Sequence, residues 1–301
     1  MHQLSQTQGS RDPVQDYVLG NGVQEQNRLQ YQAAILEKWT RQFFVSAGIE
    51  PGMKVLDLGC GMGDVSLLAA RLVGPTGKVI GIDRDRVILE KARERAHRAG
   101  HAGNIEFLYA NVLEFDSPLD FDAVVGRYTL LYQPDPVSAV RHAAKQVRSG
   151  GIVLFHEMDF ANPIRSYPDG TLFGRVYTLV AETLRRAGCH PGLDLHLTRI
   201  FREAGLSWPT IKAEVPIGGE PGCFLYTWFT ETLRSVLPRL EQFNLANADE
   251  LDLDSLVARM ETEALACHSQ LIGPRQFGAW TRKAVSEGRH ADNALLRAIW
   301  D

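Results

Sequence analysis

The strongest constraint on this chain is a glycine-punctuated turn between an apolar run and a helical segment: Val55-Leu-Asp-Leu-Gly-Cys-Gly-Met-Gly63. Glycine is needed where a chain must turn tightly off a strand end and let a ligand approach its backbone. The helix that follows presents free N–H groups and the positive end of its dipole, which suits an anion. A buried strand, such a turn and then a helix make the opening of a βα unit, and the first half of the chain repeats that unit.

Lys54–Leu58 and Val79–Ile82 read as short buried strands, and Ile105–Tyr109, Phe121–Gly126 and Gly151–His156 as three more. Helices are predicted from about Asp64 to Leu72, Asp85 to Ala99 and Val137 to Val147. The second of these sets Ile88, Leu89, Ala92 and Ala96 on one side. Trp208–Ile217 and Gln276–Arg282 are further strands. The expected fold is therefore α/β: a Rossmann-like, doubly wound, mostly parallel seven-stranded sheet, whose near-continuous apolar strands fit a sheet covered on both faces. Before it, Gln24–Ala47 carries helical spacing, as two helices or one broken helix. After Asp159 the rhythm breaks into helices at Leu172–Ala187, Leu195–Ala204, about Cys223–Phe243 and Leu253–Cys267. The organisation expected is a helical cap over residues 1–48 and a main domain over 49–301, with helical lid segments at about 165–190 and 222–270. Phe224-Leu-Tyr-Thr-Trp-Phe229 packs four aromatics into six positions, most of them expected in a core. Such a lid would border an apolar pocket.

The glycine spacing is G-x-G-x-G, with Asp64 where a dinucleotide fingerprint wants its third glycine; an acidic side chain there opposes a pyrophosphate. A nicotinamide or other nucleotide on a similar loop is the competing reading. Asp83 ends the second strand, where a carboxylate can accept from both hydroxyls of a ribose, and Asp85 fits better as the cap of the next helix.

The string VLDLGCGMGD, with GIDRD one strand later, resembles the class I S-adenosylmethionine-dependent methyltransferases. The likeness covers roughly residues 50–156, and its finer part is to the bacterial small-molecule enzymes related to the ubiquinone and menaquinone methyltransferases. It implies S-adenosyl-L-methionine as cofactor, with Asp57 orienting the ammonium and Gly59 and Gly61 offering backbone contacts. Asp83 would hold the ribose, and Arg84 would stack on or border the adenine. Asn111 stands where the family usually has an acidic residue; its amide oxygen can accept from the adenine amino group, and Val112 would donate its backbone N–H to the ring. Arg127 falls beside the methionine end. Tyr17 and Gln32 are candidates to close the site.

Methyl transfer from a sulfonium is a direct displacement, so alignment supplies much of the catalysis. A protonated acceptor also needs a base within reach, and Phe155-His-Glu-Met-Asp159 offers Glu157, and after it His156, on opposite sides of a strand end. A metal held by His156, Glu157 and Asp159 is the alternative for this cluster, and the expectation is no metal. A net charge of −4 gives no reason to expect nucleic acid or an anionic membrane as partner. After the fourth strand the chain reads Arg127-Tyr-Thr-Leu-Leu-Tyr132 and lacks the N-P-P-Y type of box with which amino-methylating DNA enzymes clamp a flipped base. The four cysteines are scattered with no C-x-x-C pair, which fits a reducing compartment, and no apolar run approaches a bilayer span. The expectation is a cytoplasmic monomer or homodimer that methylates a small, partly hydrophobic acceptor at O, N or C. The alternative is a protein of the same fold and cofactor that promotes a rearrangement or cyclisation, or acts as a sensor.

Overall fold

The computed structural model describes residues 22–118 and 120–285. Helix α1, Val23–Ala47, is one continuous helix of 25 residues, where two or a broken one were expected. No proline or glycine interrupts it, and Gly48 stops it with a left-handed φ of 91°. Then follow β1 (Lys54–Leu58), α2 (Asp64–Val73), β2 (Lys78–Asp83), α3 (Arg86–Arg98), β3 (Ile105–Tyr109), β4 (Phe121–Arg127), α4 (Pro136–Gln146) and β5 (Val147–Asp159). Caps fix the helix starts: Asp85 accepts from the amides of Val87 and Ile88 ahead of α3, and Asp135 with Pro136 opens α4. The second half contains β6 (Ser166–Tyr167), α5 (Leu172–Arg186), α6 (Leu197–Glu203), β7 (Thr210–Glu214), β8 (Ile217–Gly218), α7 (Phe224–Gln242), α8 (Ala248–Leu251), α9 (Leu253–Ala266), β9 (Gln270–Ile272) and β10 (Arg275–Arg282). Short 3-10 turns at Leu130–Tyr132 and Leu193–His196 complete it.

These elements divide into two compact units. One comprises Ala33–Pro163, Cys189–Pro216 and the chain from Gly273 on; the other comprises residues 22–32, Ile164–Gly188 and Ile217–Ile272.

The first unit is built on the seven-stranded sheet in the order β3-β2-β1-β4-β5-β10-β7. All neighbours are parallel except β10, which runs antiparallel to β5 and β7. The order reverses between β1 and β4, and in such sheets ligands bind in the crevice outside the carboxyl ends at that switch point. Alternation along each strand assigns the faces. Leu56, Leu58, Val124 and Phe155 pack with Ala139, Val140 and Ala143 of α4 and Ile200 and Phe201 of α6. On the opposite face Asp57 meets Ser66 of α2, and the Phe43 ring of α1 lies edge-on to His156.

Two corrections concern strands. β5 begins four residues earlier than expected, because a bulge at Ser149–Gly151 lets Val147 pair with Phe121 before Ile152 resumes with Ala123. The strand expected over Trp208–Ile217 is two strands in different sheets, broken before Pro216, which has no N–H to donate.

The second unit holds the remainder of the helices with a small sheet, β6-β9-β8, of strands too short to carry a sequence signature. Its centre is aromatic: Tyr177 stacks on Phe229, with Phe173 edge-on to both and Trp228 edge-on to Phe229. The aromatic run of α7 thus supplies this unit's core, with Tyr226, Trp228 and Phe229 buried. No helix among the described residues is long and apolar enough to cross a membrane.

Candidate functional site

The switch point between β1 and β4 collects most of the residues singled out in the sequence. Off the end of β1 the chain passes through Gly59, Gly61 and Gly63, all left-handed, with φ of 65°, 51° and 78°. Two of these glycines are needed for different reasons. A Cβ on Gly63 would sit 2.8 Å from the Phe107 ring, so this position lets α2 pack against β3. A Cβ on Gly61 would meet nothing within 4 Å, so the loop is open on that side.

Asp57 lies one residue before the end of β1 and is 1% exposed. Ser66 Oγ donates to Asp57 Oδ2 at 2.6 Å, while Oδ1, equally buried, has no hydrogen-bond partner among the described residues. Burial pushes this carboxyl up to about 7, against the Ser66 hydrogen bond and the nearby Arg127, which both favour the charged form. A buried acceptor without a donor is costly, and a cation supplies the missing donors.

Asp83, at the end of β2, accepts from the Gly61 amide at 2.9 Å through Oδ2 and from the Asp85 amide at 3.0 Å through Oδ1. It therefore braces the glycine loop in addition to the ribose role expected of it. Burial raises its pKa, with those two hydrogen bonds opposing. Arg84 is exposed beside it, and the Arg86 guanidinium lies 3.8 Å over the Tyr109 ring. After β3, Asn111 is exposed, and its side-chain oxygen accepts from the Leu113 amide at 3.0 Å, an Asx turn. The Val112 side chain is buried in the sheet's core.

The segment after β4 is held on both faces. Arg127 Nη1 donates to Thr40 Oγ1 at 3.3 Å, and Thr40 Oγ1 lies 3.0 Å from His156 Nδ1. His156 Nε2 lies 3.1 Å from Gln276 Oε1, which also accepts from the Tyr128 hydroxyl. Because the Gln276 amide nitrogen donates to Pro274 O, its oxygen faces His156, and the imidazole must carry its proton on Nε2. His156 is 0% exposed, and burial, reinforced by Arg127, pushes its pKa down to about 3. It is a neutral ring locked between Thr40 and Gln276. Glu157, on the other face, is also 0% exposed and accepts from the amides of Thr129, Leu130 and Leu131 at 3.0, 2.8 and 3.3 Å. Burial pushes it up to about 8 against those three donors. Asp159 pairs with Arg275. The three side chains weighed as metal ligands thus have three separate sets of partners.

Gln32 belongs to the second unit, where its side-chain oxygen accepts from Arg28 Nη1 at 2.7 Å and Trp228 Nε1 at 3.2 Å. Tyr17 lies outside the described residues. Thr40, Ser66, Thr129 and Gln276 were not read from the sequence; single hydroxyls and amides at such spacing carry no signature, and only the fold brings them to the strand ends.

A family model described as a methyltransferase domain matches residues 49–205, more than half of the chain. The chain belongs to the class I S-adenosylmethionine-dependent methyltransferases. Among curated members of this family, the 2-phytyl-1,4-naphtoquinone methyltransferase of Synechococcus elongatus is 35% identical over 121 residues, covering 40% of this chain and 52% of that protein. The ubiquinone/menaquinone biosynthesis C-methyltransferase of Enterobacter sp. is 29% identical over 184 residues, 56% of this chain and 72% of that one. The chain thus spans about half the length of the first of these methyltransferases and nearly three quarters of the second. Of solved structures, a putative methyltransferase from Bacillus halodurans superimposes with a TM-score of 0.54 at 18% identity, over 82% of this chain and 99% of that one. The [4+2]-cyclase SpnF does so with 0.51 at 19%, over 83% and 82%. Both likenesses establish the methyltransferase fold.

Proposed function

We propose that this chain is an S-adenosylmethionine-dependent methyltransferase acting on a small, partly hydrophobic metabolite. The observation that carries the reading is Asp57 Oδ1, buried without a donor beside a left-handed glycine loop whose backbone is open at Gly61. The ammonium of the cofactor's methionine end would satisfy that oxygen, and the open side of Gly61 would let the backbone approach it. Asp83, already fixed by two amides, keeps lone pairs for the ribose hydroxyls. Asn111, Val112 and Arg84 border the adenine end, and Arg127 the methionine end. When bound, S-adenosylmethionine supplies a methyl group on a sulfonium. The chain's contribution is to hold that methyl in line with the acceptor. The relatives' names, a naphthoquinone and a ubiquinone/menaquinone methyltransferase, support an acceptor with an apolar body.

The test is calorimetric titration with S-adenosylmethionine, S-adenosylhomocysteine and NADH. Micromolar binding of the first two and none of the third is expected; binding of NADH alone overturns the reading. Asp83→Ala should weaken S-adenosylmethionine binding about tenfold or more, from lost charged hydrogen bonds and a loosened Gly61. With an acceptor in hand, S-adenosylhomocysteine forming in proportion to product separates methyl transfer from a cyclisation that leaves the cofactor unchanged.

A further inference from the structure

Four consecutive backbone amides follow β4, and residues 156 and 157 accept from all of them. The Tyr128 amide donates to His156 O at 2.9 Å. Those of Thr129 and Leu130 donate to Glu157 Oε1 and that of Leu131 to Oε2. The chain reverses sharply here: Tyr128 is one of the non-glycine residues with left-handed φ, at 55°, a conformation that persists only where its surroundings hold it. The free N–H groups that open the 3-10 turn at Leu130–Tyr132 would otherwise be buried without acceptors, since Leu130 and Leu131 are 0% exposed. Glu157 reaches them from 26 to 28 residues away and closes the turn as a cap.

What this turn presents is Thr129. Its hydroxyl donates to Leu58 O, the last carbonyl of β1, at 2.8 Å. A Cβ on Gly59 would meet Thr129 Oγ1 at 3.4 Å, and one on Gly126 would meet it at 2.9 Å. Thr129 thus fills the space beside the first glycine of the loop, where a Cβ on Gly59 would touch it, and the space that the bare Gly126 leaves for it. An unbroken series of contacts runs from Glu157 through the Thr129 backbone and hydroxyl to Leu58 and the glycine loop.

We propose that Glu157 is a positioning residue for the cofactor loop, fixing the Thr129–Leu131 turn and, through the Thr129 hydroxyl, the exit of β1 into Gly59–Gly63. This rests on the cofactor reading above and replaces a role as general base. A base must reach the proton it removes, whereas both Glu157 oxygens are already engaged by the backbone within a fully buried site. Both oxygens must accept from the turn, which the ionised carboxyl alone allows, and the three amides oppose the burial that favours its protonated form. Glutamine would turn an amide N–H toward the turn's own N–H groups, and aspartate is one methylene too short to span the gap.

The experiment measures S-adenosylhomocysteine affinity by calorimetry, with hydrogen exchange of the Thr129–Leu131 amides, for wild type, Glu157→Gln, Thr129→Val and Thr129→Ser. Glu157→Gln should lower affinity about tenfold and speed exchange at all three amides. Thr129→Val should lower it similarly, and Thr129→Ser, which keeps the hydroxyl, should restore it to within about twofold of wild type. The double variant Glu157→Gln/Thr129→Val should lose less than the product of the two single losses, because both act along one path. Wild-type affinity and exchange in Glu157→Gln overturn the positioning role. So does a variant that binds as wild type yet loses turnover together with the acidic limb of its pH profile, which returns Glu157 to the part of a base. A wild-type protein that binds no S-adenosylhomocysteine overturns the cofactor reading itself, a different result. Should Glu157→Gln fail to fold, the contrast between Thr129→Val and Thr129→Ser decides the matter, equal affinities counting against the proposal.

Discussion

Burial holds the Asp57 carboxyl at about 7 although Ser66 donates to one of its oxygens. Because this lies above the ordinary carboxylate value, the fold favours the protonated form. That contribution to stability is complete in acid and is lost as the pH rises through about 7. A cation against Oδ1 reverses the preference, so its binding releases a proton below pH 7. The ammonium itself keeps its charge up to a pH of about 8. S-adenosylmethionine affinity should therefore weaken by roughly an order of magnitude between pH 7.5 and 6, with proton release visible as a buffer-dependent heat of binding. Asp57→Asn should bind more weakly and lose the pH dependence. A wild-type affinity flat over that range removes the ammonium from Asp57. This residue was legible in the sequence because its chemistry and the glycine loop sit within seven positions of each other. Glu157 was legible only as a carboxylate at a strand end. Its partners are amides, which every residue carries, and folding alone selects which ones.

At the scale of elements, β10 is the strand on which α1 rests. A Cβ on Gly278 would lie 2.4 Å from the Phe43 ring, which is 0% exposed and edge-on to His156. The conformation of Gly278 is ordinary for a strand; only space forbids a side chain. Gly278→Ala should therefore cost about 1–3 kcal/mol by overpacking, read as a lower melting temperature, and Phe43→Leu in that background should recover part of it. An unchanged melting temperature would mean that the ring moves aside freely. Periodicity located every parallel strand because each has at least five residues, and all but the edge strand β3 are buried enough on both faces to read as an apolar run. It failed where strands have two or three residues, as in the small sheet. It also failed where Pro216 interrupts a run that hydropathy alone continues.

The whole molecule alternates in sequence between its two units, so each is closed by contacts between distant segments, and these no local pattern announces. In the unit that bears the site, Arg275 at the start of β10 meets Asp159, 116 residues earlier at the end of β5, through Nε at 2.9 Å. Its Nη2 also reaches Asp194 of a 3-10 turn at 3.2 Å. Asp159 and Asp194 are both buried, and Asp194 Oδ1 has no partner among the described residues. Burial, with Asp159 beside it, raises Asp194 to about 6 against the pull of Arg275. With the folded value above the unfolded one, Asp194 stabilises the fold fully below about pH 4, and that contribution is lost as the pH climbs through 6. Asp194→Asn keeps the shape and removes the second negative charge from a single guanidinium. It should leave the melting temperature near wild type at pH 5 and raise it at pH 8 by roughly 2–4 °C, the shift that about 1 kcal/mol gives in a domain of this size. A lower melting temperature at pH 8 would mean that Arg275 needs both carboxylates ionised, and that the closure of β10 onto β5 depends on the pair of them.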